Sequence, residues 1–274
     1  MSKAVIIHKT GGLEALTIED REVGMPAEGE IRIQQTHIGL NFIDVYFREG
    51  IYGTDTPFVL GAEAAGHVTD VGSGVNGIKV GDRVAYVTTG GAYAEERLLD
   101  ASKAVVLPEG VSNEAAAAIM LKGMTVQYLF KQSYAIQPGQ KCLFHAAAGG
   151  VGLIASQWAK ALGVDMIGTA GSAEKCQLAL DHGAKHCVNY RDDNWVEQVR
   201  DLSGGGVPVA YDSVGQSTLE GSLDCLKPFG YFITFGNASG PITGVAPAML
   251  ASRGSLYMQR PTLFAYIATR AQLS

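Results

Sequence analysis

The stretch KCLFHAAAGGVG, residues 141–152, with its continuation LIASQWAKALG, residues 153–163, decides the fold of this chain. A short apolar run over 142–146 meets a turn of small residues. Val151, Ile154, Ala155, Trp158 and Leu162 then recur at helical spacing. The pattern reads as strand, tight turn, helix. In a βαβ unit of this type the turn lets the backbone approach a dinucleotide pyrophosphate, and the first turn of the helix offers it unpaired N–H groups and a partial positive charge. The first position of the G-x-G-x-x-G spacing is Ala147, followed by Gly149 and Gly152. Alanine is the smallest residue after glycine, so the turn is expected to survive. A lone glycine fingerprint also occurs as a plain packing device.

A second apolar run, 166–170, ends at Gly171 and Ser172, about 20 residues past the glycine turn, where an NAD-preferring site places an acid on the ribose 2′-hydroxyl. No Asp or Glu stands at this tip. It offers Gly171, Ser172 and, one helical turn on, Lys175. A hydroxyl and an ammonium suit a 2′-phosphate, and a charge-assisted hydrogen bond contributes about 1.5–3 kcal/mol. One good contact therefore favours NADPH about tenfold or more. Ser172 also reads as the cap of the following helix, so Lys175 carries most of this preference. Glu174 lies close by, with a side chain free to point into solvent.

The chain has 274 residues, 47% of them hydrophobic, enough for two domains with separate cores. The net charge of −6 and the lack of a basic run point away from nucleic acid and from anionic membranes. Cys142, Cys176, Cys187 and Cys225 form no C-x-x-C pair and read as buried reduced thiols. No leader and no bilayer-spanning apolar run is visible, so a soluble cytoplasmic protein is expected.

The part of the chain up to about residue 123 reads as β-rich. Short alternating segments at 3–8, 16–23, 30–38, 64–71 and 82–88 are separated by turn clusters, with one short helix near 43–49. Ser112 reads as a helix start before an Ala-rich run, and 125–133 also looks helical. From Pro138 onward strands at 141–146, 166–170, 186–190, 207–212, 231–236 and 255–259 alternate with helices starting near residues 150, 173, 193, 217 and 244. That alternation is the mark of a parallel sheet with crossovers. The expected fold class is α/β: a doubly wound Rossmann sheet plus a β-rich domain.

Taken together, GLNFIDVYFREGIY from residue 39, VLGAEAAGHVTDVGSGV from 59, KVGDRVAY from 79, LKGMTVQYL from 121, the 141–163 stretch, YDSVG from 211 and TFGNASG from 234 resemble the zinc-free quinone oxidoreductases of the medium-chain dehydrogenase/reductase superfamily. The likeness to the bacterial, zeta-crystallin-related members spans nearly the whole chain. It implies a GroES-like domain over 1–124, a Rossmann NADPH-binding domain over 125–262, a return toward the first domain from 263, and an active site between the two domains. Proteins of this kind run several tens of residues longer, with one basic cofactor contact in the extra segment. A truncated record or a shortened protein is therefore expected.

The zinc-dependent alcohol dehydrogenases of that superfamily keep a cysteine and a histidine where this chain has Asn41, in Gly-Leu-Asn, and Ala62, in Gly-Ala-Glu. An amide and a methyl cannot replace thiolate and imidazole. Residues 86–97 hold no cysteine for a structural zinc lobe, and Glu63 alone makes no site. No metal is expected, and alcohol oxidation without a Lewis acid is disfavoured.

Quinone reduction needs the nicotinamide and acceptor held face to face, water excluded and a proton supplied. Asn41, Tyr46 and Tyr52 are the candidates to orient a carbonyl oxygen, although either tyrosine also reads as a core ring with a wet tip. By resemblance Asn41 and Phe42 face the nicotinamide. Ala148, Gly149, Gly150 and Val151 take the diphosphate; Gly171, Ser172, Lys175 and Tyr190 take the adenosine 2′-phosphate end. Val214, Gly215, Phe235, Gly236, Asn237 and Ser239 take the nicotinamide half, and Thr125, with Lys122 as a possible surface residue, touches the cofactor. Asp212 ends a strand at the ligand-binding edge but reads equally as a helix cap. His145 reads as a satisfied core histidine, and His37, His67, His182 and His186 lack ligand spacing. The expected partners are a small quinone and a second copy joined through edge strand 255–259. The rival readings are an NADPH-dependent reductase of α,β-unsaturated carbonyls, and an NADPH-binding crystallin-like or RNA-binding protein without turnover.

Overall fold

The computed structural model describes residues 1–273, in two compact units: 1–121 with 266–273, and 122–265.

The first unit is β-rich. Strands β1 (Ser2–Ile7), β2 (Leu16–Arg21) and β4 (Phe58–Val59) form a three-stranded antiparallel sheet in the order β2-β1-β4. Strands β3 (Glu30–Gly39), β5 (Glu63–Val71), β6 (Arg83–Val87), β7 (Glu96–Asp100) and β8 (Ala104–Val106) form a second antiparallel sheet, β7-β3-β5-β6-β8. Its inward face buries Ile31, Ile33, Val68, Val84 and Tyr86. Helix α1 (Phe42–Glu49) follows β3 directly. Strands β4, β7 and β8 went unread in the sequence. β4 and β8 span only two and three residues, and β7 pairs its Glu96 with Arg32 of β3, so no clean alternation shows.

The Ala-rich run and the segment after it, read from sequence as two helical pieces, form one helix, α2 (Asn113–Tyr128), which continues into a wider turn over Leu129–Ser133. Ala116 and Ala117 pack on Ala65 and Ala85 of the sheet. Small side chains permit this closeness: a Cβ at Gly39 would collide with Ala117 O.

The second unit is the doubly wound sheet. Strands β9 (Lys141–Phe144), β10 (Asp165–Ala170), β11 (His186–Asn189), β12 (Val207–Asp212), β13 (Leu226–Thr234) and β14 (Tyr257–Gln259) lie in the order β11-β10-β9-β12-β13-β14, all neighbours parallel. Helices α3 (Gly150–Leu162), α4 (Ala173–Asp181), α5 (Trp195–Ser203), α6 (Leu219–Asp224) and α7 (Pro247–Ser252) connect them. The strands are continuous apolar runs because helices cover both faces. Leu143, Ile167, Val199, Val207, Leu223 and Phe232 make the core on one face.

Strand β14 is shorter than expected: Gly254 and Ser255 both take positive φ, +101° and +58°, which delays the strand to Tyr257. Helix α7 starts at Pro247, not near Gly244, because Gly244 sits at φ +74° and a proline is suited to a first helical turn. Two short helices, α8 (Leu263–Tyr266) and α9 (Arg270–Leu273), end the described chain, and the Arg270 guanidinium donates to the backbone carbonyls of Ser102 and Ala104. Among the described residues no helix is long and apolar enough to cross a membrane.

Candidate functional site

The sheet order reverses direction between β9 and β12, the place where an open α/β sheet leaves a crevice at its carboxyl edge. The turn after β9 makes that edge approachable. Ala146 adopts φ +53°, a left-handed conformation alanine rarely takes, and Gly149 N donates to Ala146 O at 2.9 Å. A Cβ at Gly152 would lie 2.5 Å from Ala146 O and Ala147 O, so only glycine lets α3 start this close to β9. The alanine in the first fingerprint position is matched by Gly168 on the neighbouring strand, where a Cβ would lie 2.5 Å from the Ala147 methyl. The missing glycine has in effect been exchanged across the sheet, a compensation that spacing along one strand cannot reveal.

Gly149 caps α3 without a side-chain hydrogen bond, and Gly149 and Gly150 are exposed. The first amides of a thirteen-residue helix thus open on a surface that Gly149 and Gly150 leave free of side chains of their own, a cradle that fits a diphosphate. The Lys122 stem lies over Gly150, where a Cβ would meet Lys122 Cδ and Cε at 2.9 Å. Its stem thus lies beside the cradle. Ala148 and Val151 flank the cradle, half-buried, and Thr125 is buried on α2.

At the end of β10, Ser172 caps α4 by accepting from Lys175 N at 3.3 Å. The nearby Ser172 hydroxyl and the backbone at the helix start hold the Glu174 carboxyl below its ordinary range. Glu174 and Lys175 are both exposed at this tip, and Lys175 is its cation. Tyr190 follows β11, and a Cβ at Gly171 would lie 2.7 Å from its hydroxyl, so ring and glycine make one small platform.

Beyond β12, Asp212 is fully buried and accepts from Val214 N at 2.5 Å and Gly215 N at 3.2 Å, which settles its role as the cap of this turn. Gly215 stands at φ +100°, and a Cβ there would lie 2.5 Å from Gly240 O. The turn after β13 folds against it. Gly236 abuts Ser213, Asn237 is buried, and the Ser239 hydroxyl donates to Val214 O at 2.9 Å while accepting from Ser217 N at 3.0 Å. Phe235 packs its ring 5.8 Å from that of Phe144.

In the first unit Asn41 caps α1, and Asp44 closes the helix start by accepting from Asn41 N at 3.0 Å. The Tyr93 hydroxyl donates to the same Asp44 oxygen at 2.7 Å; burial and this carboxylate raise the Tyr93 pKa. Asn41 Nδ2 donates to Glu63 Oε1 at 2.8 Å, and Leu121 N donates to Glu63 Oε2 at 2.7 Å. Glu63 is completely buried. Asn41 is therefore a held group, its amide nitrogen drawn towards a buried carboxylate. Tyr46 is buried between Phe42 and Tyr52, with ring centroids 5.4 and 5.2 Å away, edge to face. Phe42 is 56% exposed, and with Leu40 at 79% it leaves an apolar surface on either side of Asn41. Among the described residues no group of three or more His, Cys, Asp or Glu side chains is arranged to hold a metal ion. All four cysteines are free thiols, and burial pushes Cys225 up to about 12.

Residues 150–270 match the zinc-binding dehydrogenase family and residues 27–109 the alcohol dehydrogenase GroES-like domain family. The chain is 52% identical to a quinone oxidoreductase of Salmonella typhimurium over 277 aligned positions, covering all of this chain and 85% of that protein. It superposes on the crystal structure of Escherichia coli quinone oxidoreductase complexed with NADPH with a TM-score of 0.97 at 50% identity, covering 99% of this chain and 84% of the other. A quinone oxidoreductase of Pseudomonas syringae gives a TM-score of 0.98 at 47% identity, over the whole chain and 85% of its own length.

Proposed function

From its place in the quinone oxidoreductase family, within the medium-chain dehydrogenase/reductase superfamily to which this chain belongs, we propose that the protein reduces quinones with NADPH and without a metal. One observation carries the reading: a helix N-terminus opened by Gly149 and Gly150 at the switch point of the sheet, with an exposed lysine at the adenosine end. When bound there, NADPH supplies the hydride, and a quinone that takes up this hydride and a proton leaves as the hydroquinone.

The residues have separable tasks. The amides at Gly149, Gly150 and Val151 face the diphosphate, with Ala148 beside them and the Lys122 ammonium adding charge. Lys175 pairs with the 2′-phosphate, and Tyr190 and Gly171 flank it. Ser172 acts there through its helix cap. Val214 and Gly215 lie along the nicotinamide ribose, held by the Ser239 hydroxyl, while Phe235, Gly236 and Asn237 line the nicotinamide side and Thr125 touches the cofactor. In the first unit, Asn41 and Phe42 face the nicotinamide, and Asn41, Tyr46 and Tyr52 orient the acceptor carbonyl. Glu63 sets the rotation of Asn41. No alcohol has to be polarised, so no Lewis acid is required for this reaction.

The domain division near residue 124, with a return after residue 262, belongs to the same reading, as does a homodimer joined through edge strand β14, whose Tyr257 is 52% exposed and stacks 4.6 Å from Tyr231. A cytoplasmic location fits a reductase fed by NADPH.

The test is one assay series: NADPH consumption with benzoquinone, with a bulky polycyclic quinone and with an enal, repeated with NADH and with a chelator. Quinone turnover that prefers NADPH and ignores the chelator is expected. Activity on the enal alone would replace the reading by reduction of activated alkenes. Tight NADPH binding without any turnover would make the protein a nucleotide-binding protein.

A further inference from the structure

His145 stands in the 141–152 stretch, and the reading above gives it no task. It stands at the end of β9, completely buried, with its ring 5.6 Å from that of Trp195 and nearly perpendicular to it. Both ring nitrogens are engaged: Nδ1 lies 2.8 Å from Thr169 Oγ1 and Nε2 lies 2.9 Å from Ser222 Oγ. The direction of each bond follows from the neighbours. The Ser222 hydroxyl donates to Thr218 O at 2.6 Å, and a carbonyl can only accept, so the single serine hydrogen is spent there. Ser222 can then only accept from His145, which places the hydrogen of a neutral ring on Nε2. Nδ1 is left as an acceptor, and Thr169 donates to it.

The same line runs on towards the turn after β12. Thr218, whose carbonyl is held by Ser222, donates its own hydroxyl to Asp212 Oδ2 at 2.8 Å. The Gly215 carbonyl, 3.1 Å from that hydroxyl, is already bonded by Thr218 N. Asp212 in turn holds Val214 N and Gly215 N. Residues 145, 169, 212, 218 and 222 are all buried, and bonds pointing in one sense strengthen one another in such surroundings.

We propose that His145 is a positioning residue for nicotinamide binding: fixed in its Nε2–H form, it orients Ser222, and through Thr218 and Asp212 it sets the Val214–Gly215 turn along which the ribose lies. The inference rests on the cofactor reading above for the last of these steps, and on geometry alone for the others. Burial keeps the imidazole pKa below its ordinary value, with Asp212 the charged neighbour acting in the opposite sense, so the ring stays neutral at physiological pH. The line branches at His145: Ser222 leads to the turn and Thr169 does not.

That branching supplies the test. Ser222→Ala should raise the KM and the Kd for NADPH about tenfold, the consequence of leaving one buried donor unpaired, with kcat changed by less than about twofold. Thr169→Val, which breaks the branch that leads away from the turn, should lower the Tm and leave the NADPH Kd within about twofold. In the wild-type protein, histidine ¹⁵N NMR, with the signal assigned by its absence in His145→Gln, should show a hydrogen on Nε2 and a bare Nδ1. A hydrogen on Nδ1, or an equal rise of Kd in both variants, overturns the inference. Wild-type protein that binds NADPH while Ser222→Ala binds it equally well overturns this inference alone. Wild-type protein that binds no NADPH overturns the parent reading and takes the positioning role with it, while the NMR signature still decides the direction of the bonds.

Discussion

The two units prepare their functional surfaces by opposite means. In the second unit the surface is made by removing side chains: Gly149, Gly150 and Gly152 strip the start of α3, Gly168 makes room for Ala147, and Gly215 and Gly236 let two turns touch. What faces outward is backbone. In the first unit the surface is made by tying side chains down, with Asn41 bonded to the buried Glu63, and Asp44 bonded to Asn41 N and to the Tyr93 hydroxyl. A diphosphate is recognised in much the same way whatever nucleotide carries it, so a generic backbone cradle serves. An acceptor carbonyl has to be oriented, and orientation needs side chains whose own rotamers are fixed. If this contrast is right, substitutions in the two units should damage different kinetic quantities.

The largest effect is expected at Gly152. Valine there drives a branched side chain into Ala146 O and Ala147 O, so the turn must open; the overpacking costs about 1–3 kcal/mol, and the NADPH Kd should rise by about 100-fold. Isothermal titration with NADPH checks it, and a Kd within threefold of wild type would break the cradle half of the comparison. Next is Glu63→Gln, which presents an amide to two donors that both need an acceptor. Unfolding stability should drop by about 1–3 kcal/mol and kcat by about tenfold, with the NADPH Kd unchanged, measured by denaturant titration and steady-state kinetics. A change confined to Kd would reverse the assignment of the two units.

Lys175→Ala should raise the KM for NADPH by about tenfold and leave that for NADH nearly unchanged, because one charge-assisted bond to the 2′-phosphate is lost. Equal effects on both nucleotides would refute the 2′-phosphate contact. The smallest effect is read from His145. Its folded-state pKa is lowered by burial, so the unfolded chain binds a proton that the folded one does not. Its contribution to stability is complete above the ordinary histidine value of about 6.5 and is lost as pH falls below it, at up to about 1.4 kcal/mol per pH unit. Urea unfolding of wild type and His145→Gln at several pH values between 7 and 5 should show the wild type losing stability more steeply.

The doubly wound parallel sheet was legible because each parallel strand is an apolar run followed by a helix, a pattern written in consecutive residues; the order of its strands was not. The cradle was legible for the same reason, since Gly149 and Gly152 carry their own spacing. What escaped depends on residues distant in the chain. The pairing of Asn41 with Glu63 joins positions 22 apart, the start of α1 and the start of β5, and nothing in Gly-Ala-Glu signals that the acid turns inward. The exchange between Ala147 and Gly168 lies across two strands, and the line from His145 to Ser222 spans 77 residues. Ser172 shows a local limit: a hydroxyl two residues from Glu174 can serve a ligand or the acid, and the sequence alone does not choose between them. Periodicity reports which face a residue occupies, whereas these hydrogen bonds are set by tertiary register.

The central claim is that this chain passes a hydride from NADPH to a quinone with its own residues and no metal. Stopped-flow mixing of chelator-treated protein and NADPH with benzoquinone, followed at the NADPH absorbance, tests it most directly. The account predicts one NADPH oxidised per hydroquinone formed, at a rate the chelator does not change, with NADH slower at equal concentration. A rate abolished by the chelator and restored by zinc, or NADPH left unoxidised, would contradict it.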